Sequence, residues 1–137
     1  MANAPVPVPA ADQESAPFWE GCNRGELLYQ RCGACGKARF YPRPACPNCA
    51  SESFTWEKAS GKATLYSWTI IYPPTLPAFK DKVPYPVILV ELAEGVRMIS
   101  NIVDCKNEDL RIGMPLEVTF EKVSDGVTLH RFRPASR

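Results

Sequence analysis

From Ala63 onward apolar and polar residues change places almost every second position, the period of strands with one buried face. Ala63 to Tyr72 predicts a first strand with Tyr66, Trp68, Ile70 and Tyr72 on one side. Val87 to Ala93 is nearly all apolar, as in a strand buried on both faces or curled into a barrel. Glu94-Gly95 is a two-residue hairpin signal leading into Val96 to Val103. Leu116 to Glu121 alternates between core and solvent, and Asp125-Gly126 predicts a second hairpin into Val127 to Arg133. Five short strands with two tight links predict an antiparallel barrel, and the OB-fold is the usual five-stranded one.

The first half follows a different pattern. Residues 1–12 alternate proline with small residues and predict a flexible Pro-rich tail or an arm lying on a partner. Over residues 13–25, Ser15 as N-cap, Pro17 in the first turn and Gly25 at the far end bracket a helix of about two turns. Phe18 and Cys22 lie one turn apart with Trp19 beside them. So short a helix must dock, either on its own domain or on another subunit. Leu27 to Arg31 then predicts a strand, and Arg39 to Pro42 a return.

Between those strands lies Cys32-Gly-Ala-Cys35, and after a gap of ten residues comes Cys46-Pro-Asn-Cys49. Each Cys-x-x-Cys closes a knuckle that aims two sulfurs at one centre, and four sulfurs complete a tetrahedral shell. Structural zinc is the expected occupant, although iron held as in rubredoxin uses the same four ligands. A disulfide framework is disfavoured because no secretory signal is read and Cys22 and Cys105 would be left over. A thioredoxin-like site needs one such pair in a βαβ setting, not two. A metal enclosed by four sulfurs keeps no open position, so the site holds structure and does no chemistry. Residues 26–60 therefore predict a rubredoxin-like zinc ribbon, and 61–134 the OB-fold domain, a mainly β chain throughout.

Composition narrows the function. Sixteen basic residues against fifteen acidic leave a formal charge of +1, too balanced for a protein that grips phosphate backbones. Single-stranded nucleic-acid binding remains the alternative reading, with Tyr66, Trp68 and Tyr72 as stacking platforms. No apolar run approaches the length of a membrane span, and reduced, metal-binding cysteines imply the cytoplasm. The single histidine, His130, has no sequence partner for a catalytic pair and is expected to face solvent on the last strand. No acid–base pair, phosphate-gripping loop or open metal site is visible, so catalysis is not expected of this chain alone. The segment Pro73–Pro86 carries five prolines, two aromatics and two lysines between the first two barrel strands. Loops this long inside a compact domain usually bind something, and the alternative is a loop that folds back over its own barrel.

Pro17-Phe18-Trp19, the strand Gly25 to Cys32, the ribbon ending Tyr41-Pro-Arg-Pro-Ala-Cys46-Pro-Asn-Cys49, and a barrel containing Glu91 to Gly95 and Ile112-Gly-Met-Pro115 follow one another in a distinctive order. This order resembles the acyl-CoA-associated family of zinc-ribbon plus OB-fold proteins, long catalogued as a domain of unknown function. The resemblance covers about residues 13 to 134. It implies a small partner of thiolase-like or lipid-transfer-protein-type enzymes, thiolases and aldolases, in a hetero-oligomer in which the enzyme subunit makes or breaks the carbon–carbon bond. It also implies zinc on Cys32, Cys35, Cys46 and Cys49, and a CoA thioester as a ligand shared with the partner. Neither nucleic acid nor membrane is expected as a partner. From composition, Phe79, Lys80, Lys82 and Tyr85 of the proline loop, with Phe18 and Trp19 of the helix, are the candidate contacts to acyl-CoA or partner.

Overall fold

A computed structural model describes residues 6–74 and 76–135. A helix, α1 (Ala16–Asn23), leads into a three-stranded antiparallel sheet of β1 (Leu28–Cys32), β2 (Ala38–Arg39) and β3 (Phe54–Lys58), ordered β2-β1-β3. A second sheet follows, made of β4 (Lys62–Ile71), β5 (Tyr85–Leu92), β6 (Arg97–Ser100), β7 (Pro115–Ser124) and β8 (Val127–Pro134) in the order β6-β5-β4-β7-β8. The strip after β6 closes it: Ile102 bridges Phe132 in parallel, and Val103 N–H donates to the Phe132 carbonyl at 2.8 Å. The mainly β architecture of ribbon plus OB-fold is therefore as expected. Among the described residues no helix is long and apolar enough to cross a membrane.

The barrel core is drawn from every strand, with Leu65, Ile88, Val90, Met98, Leu116 and Phe132 all essentially closed to solvent. The first barrel strand differs from the alternation predicted for it. Leu65 pairs with Val90 and Ser67 with Leu89, so Tyr66 is an extra residue bulged out of the ladder. The bulge reverses the phase: Ala63 and Leu65 face the core before it, Trp68 and Ile70 after it. Tyr66 is exposed instead, with the Arg97 guanidinium 3.9 Å above its ring. The expected row of Tyr66, Trp68 and Tyr72 on one face does not exist, which removes the stacking platform of the nucleic-acid reading.

The helix docks on its own domain. Phe18 and Cys22 are buried, and Asn23 Nδ2 donates to the Gly126 carbonyl at 2.9 Å, tying the end of α1 to the β7–β8 turn. Ser15 does not cap with its hydroxyl as predicted. Asp12 and Ser15 cap each other instead, Ser15 N–H donating to Asp12 Oδ1 at 2.7 Å and Asp12 N–H to Ser15 Oγ at 3.1 Å. Asp12 thus belongs to the helix entry, and residues 1–5 of the proline-rich stretch lie outside the described residues. At the other end Glu26 N–H reaches the Gly21 carbonyl at 2.8 Å across Gly25, whose φ of 77° makes it the expected helix stop.

Candidate metal centre and partner-contact face

Cys32 ends β1, and the chain reverses at once, Gly36 N–H donating back to the Cys32 carbonyl at 3.1 Å. The second knuckle repeats this with Ala50 N–H on the Cys46 carbonyl at 2.8 Å. In each, backbone amides point at the leading sulfur: Ala34 and Cys35 N–H onto Cys32 Sγ at 3.3 and 3.4 Å, Asn48 N–H onto Cys46 Sγ at 3.4 Å. All four Sγ atoms lie within 4.8 Å of one another, with Cys32–Cys49 at 3.6 Å and Cys35–Cys46 at 3.7 Å. A tetrahedron of sulfurs about 2.3 Å from zinc has edges of about 3.8 Å, so the donor set fits the ion. The amide bonds hold Cys32 down to about 6, and the Lys37 amide and Asn48 side chain also lower Cys35. Cys49 moves the other way. The Ser51 amide draws it down, but hydrogen bonding with Cys32, burial and the other two sulfurs outweigh this and push it up to about 11. Four sulfurs this close cannot all ionise unaided, and a divalent cation supplies the charge that lets them do so.

The two knuckles differ in the residue that follows the second cysteine. Gly36 has φ 79°, a conformation natural to glycine, whereas the equivalent Ala50 sits at φ 67° with a side chain. An alanine held there costs about 1–2 kcal/mol. Ala50→Gly is expected to stabilise the ribbon by about 1 kcal/mol, because relief of strain exceeds the added freedom of the unfolded chain. Thermal melting of the metal-loaded protein checks this, and an unchanged or lower Tm would contradict it.

Sequence reading missed the polar hub that fixes the second knuckle to the sheet. Gln30, fully buried on β1, accepts from Arg39 Nε at 2.7 Å and from Arg43 N–H at 3.0 Å, while Arg39 Nη2 donates to the Arg43 carbonyl at 2.9 Å. The Arg39 guanidinium lies 5.0 Å above the Phe54 ring of β3. A glutamine in a strand reads as solvent-facing, and nothing in the local pattern signals that it is not.

The candidate contact residues separate into two groups. Phe18 is only 2% exposed and packs on Phe40 of the ribbon and His130 of β8, so it has no surface left for a partner, a correction to its expected role. Trp19 remains half-exposed beside it. In the proline loop Phe79 and Tyr85 stack on each other, ring centres 5.7 Å apart and planes at 27°. With Trp19, Ile99, Leu129 and His130 they line a cavity of about 310 Å³. The exposed Lys82 reaches a second, larger groove lined by the same two rings, while the exposed Lys80 lines neither. The loop is also tied to the barrel domain, since Asn107 Nδ2 donates to the Pro84 carbonyl at 3.3 Å.

His130 faces solvent less than expected, being half-buried. It lies beneath α1 with Phe18 at 5.3 Å and Trp19 at 6.3 Å between ring centres. Burial, aided against Nε2 bonding by the Arg131 charge, pushes its imidazole down to about 4, so it is neutral at pH 7. Its Nε2 lies 3.3 Å from the Ile99 carbonyl, which can only accept, so the proton sits there and Nδ1 is an enclosed, unpartnered acceptor. Cys22 is likewise inert, its thiol pushed up to about 12 by burial.

Known proteins share this arrangement. A family model described as the ChsH2 rubredoxin-like zinc ribbon domain matches residues 19–55, and one described as the ChsH2 C-terminal OB-fold domain matches residues 56–121. A DUF35 domain-containing scaffold protein of Methanothermobacter thermautotrophicus is 40% identical over 115 residues, 80% of this chain and 86% of that protein. The chain belongs to the DUF35 family. As a DUF35 protein it is also 37% identical over 129 residues to a probable enoyl-CoA hydratase alpha subunit of Thermomonospora curvata. That match covers 94% of this chain but 40% of the relative, so the chain spans less than half of that protein's length. Among solved structures, a chain of the Ltp2-ChsH2(DUF35) aldolase superposes with a TM-score of 0.85 at 37% identity, covering 93% of this chain and 99% of that one.

Proposed function

We propose that this DUF35 protein is the non-catalytic subunit of a hetero-oligomeric aldolase- or thiolase-type complex that acts on acyl-CoA, aiding assembly and the holding of the thioester. The observation that carries this reading is the superposition of 93% of this chain on a chain of the Ltp2-ChsH2(DUF35) aldolase. The name of another relative, a probable enoyl-CoA hydratase alpha subunit, supports a CoA thioester as the ligand class, though for a different reaction. The fold supports a scaffold role physically. Zinc, the expected metal, makes the ribbon rigid, the ribbon's Phe40 backs Phe18 at 5.0 Å, and Phe18 backs Trp19 at 4.9 Å. Metal and contact face are thereby one mechanical unit. Trp19, Phe79 and Tyr85 form the proposed contact surface, with Lys82 and Lys80 at its edge suited to phosphate oxygens.

Co-expression with thiolase-like enzymes encoded near its gene tests this, together with turnover assays of each subunit alone. A stable complex whose enzyme subunit needs this chain for full activity is the expected result. Recovery as a lone monomer that activates no such enzyme, or turnover by this chain unaccompanied, would sink it. Replacing Phe79 and Tyr85 together with alanine is expected to weaken the complex at least tenfold, since buried aromatic anchors are commonly worth 2 kcal/mol or more at about that scale. The isolated variant is expected to keep its Tm within about 3 °C, because both rings are half-exposed and outside the core. A large loss of Tm with complex formation intact would instead make the loop a plug for its own barrel.

A further inference from the structure

The N-terminal arm is chemically unusual for a tail. Val6 and Val8 each precede a proline, which holds them extended, and in an extended chain residues two apart share a side. Every second residue of Val6-Pro7-Val8-Pro9 lacks an N–H, so the segment can lie on an apolar surface with few donors to strand. Its prolines also leave little conformational freedom to lose on docking. The structure places Val6, Pro7 and Val8 along a groove of about 750 Å³ with an apolar floor that includes the Phe79 and Tyr85 rings, Pro86, Leu129 and Val123, and with charged residues, Glu121, Lys122 and Arg131 among them, also lining it. The valines are 37% and 43% exposed, so they lie at the open edge of the groove, partly covered, in a segment that forms no secondary structure. Stacked aromatic rings facing an extended Val-Pro segment match a known mode of peptide recognition, in which aromatic grooves take proline-rich chains.

We propose that the Phe79–Tyr85 groove is a binding site for an extended, proline-interrupted apolar segment, and that the chain's own Val6–Pro9 arm occupies it in cis as a strap. The strap covers part of the surface assigned above to the partner, a point that rests on that assignment. A partner reaching this groove must first displace the arm, and its apparent affinity falls by the fraction of molecules in which the arm is off. A strap seated nine-tenths of the time weakens partner binding about tenfold. Its hold is intramolecular and depends on effective concentration, so a free arm peptide replaces it only at high, roughly millimolar, concentration.

The test compares three metal-loaded proteins: the full chain, a form lacking residues 2–9, and the full-length Val6→Ser, Val8→Ser variant, which keeps the arm but removes its methyl groups. Methyl-to-ring nuclear Overhauser effects from Val6 and Val8 to Phe79 and Tyr85 are expected in the full chain. Fluorescence of the apolar dye anilinonaphthalene sulfonate is expected to rise severalfold in both altered forms at unchanged Tm, and a peptide of residues 3–10 is expected to reverse the rise. Absent Overhauser effects together with equal dye fluorescence would overturn the seating of the arm. Co-purifying enzyme is expected to bind both altered forms about tenfold more tightly than the full chain, and equal or weaker binding would overturn the strap. Should no enzyme bind any of the three, the scaffold function is what fails, and the Overhauser effects and dye decide the cis-occupied groove alone.

Discussion

Removing the metal is expected to unfold the ribbon while β4 to β8 stay folded. Structural zinc in small domains contributes about 10–16 kcal/mol of apparent folding energy, comparable with or larger than the whole stability of an ordinary domain. The ribbon's own resources are small: β2 is two residues long, and Cys35 and Cys49 are exposed. The barrel by contrast supplies most of the apolar core, Leu65, Ile88, Val90, Met98, Leu116 and Phe132 among it, with Phe18, Cys22, Leu27 and Tyr29 of the helix and ribbon packed into the same cluster. Hydrogen exchange after treatment with a strong chelator under reducing conditions is expected to show protection lost across β1 to β3 and kept across β4 to β8. Single serine replacements of Cys32, Cys35, Cys46 or Cys49 are expected to act in the same direction. Because Phe40 supports Phe18, and Phe18 supports Trp19, the apo form is also expected to lose partner binding. Element analysis of the purified protein identifies the metal. Zinc at one per chain is expected, and iron or four unliganded thiols in a well-folded sample would refute the assignment. Unchanged exchange in the ribbon after the metal is gone would show that sulfur packing alone suffices.

The second large effect concerns acid. His130 has an ordinary value of 6.5 and is held at about 4 in the folded protein, mainly by burial. The folded state thus disfavours the proton, and the stability this residue confers is fully present above pH 6.5 and lost as pH falls from 6.5 toward 4. The whole gap corresponds to about 3 kcal/mol, of which about 2 kcal/mol is gone by pH 5. Release of metal from protonated thiols acts over an overlapping range, so the comparison must isolate the imidazole. His130→Phe keeps an aromatic ring against Phe18 and Trp19 but has nothing to protonate. Its stability is expected to fall about 2 kcal/mol less than that of the parent between pH 7.5 and 5, measured by urea unfolding at each pH with zinc present. Parallel pH profiles for the two proteins would show that His130 takes up its proton without cost in the folded state.

Much of this was legible in the chain because the signals are local. Two Cys-x-x-Cys pairs need only a few residues each to form their knuckles, and the four sulfurs meet as their spacing implied. Glu94-Gly95 and Asp125-Gly126 mark tight turns through glycine's backbone freedom, and both hairpins form there. The barrel strands follow from period-two burial, and the family from the order in which ribbon and barrel appear.

What stayed hidden depends on contacts between residues far apart in sequence. The bulge at Tyr66 is a matter of how β4 registers against β5, and alternation carries no mark of the single extra residue that reverses it. Phe18 reads as a surface anchor on an isolated helix and becomes core only when β8 and Phe40 close over it. The same closure half-buries His130, and a histidine on an outer strand looks identical in sequence whether a helix covers it or not. Gln30 is a polar hub only because Arg39 and Arg43 return to it around the first knuckle. By itself, then, the sequence determined the four-cysteine cluster, the strand content and the family, since each is written in short-range spacing and residue type. Tertiary structure alone decided which apolar residues remain on the surface, because burial is a property of what packs against a side chain and local patterning can specify only one of the two surfaces that meet.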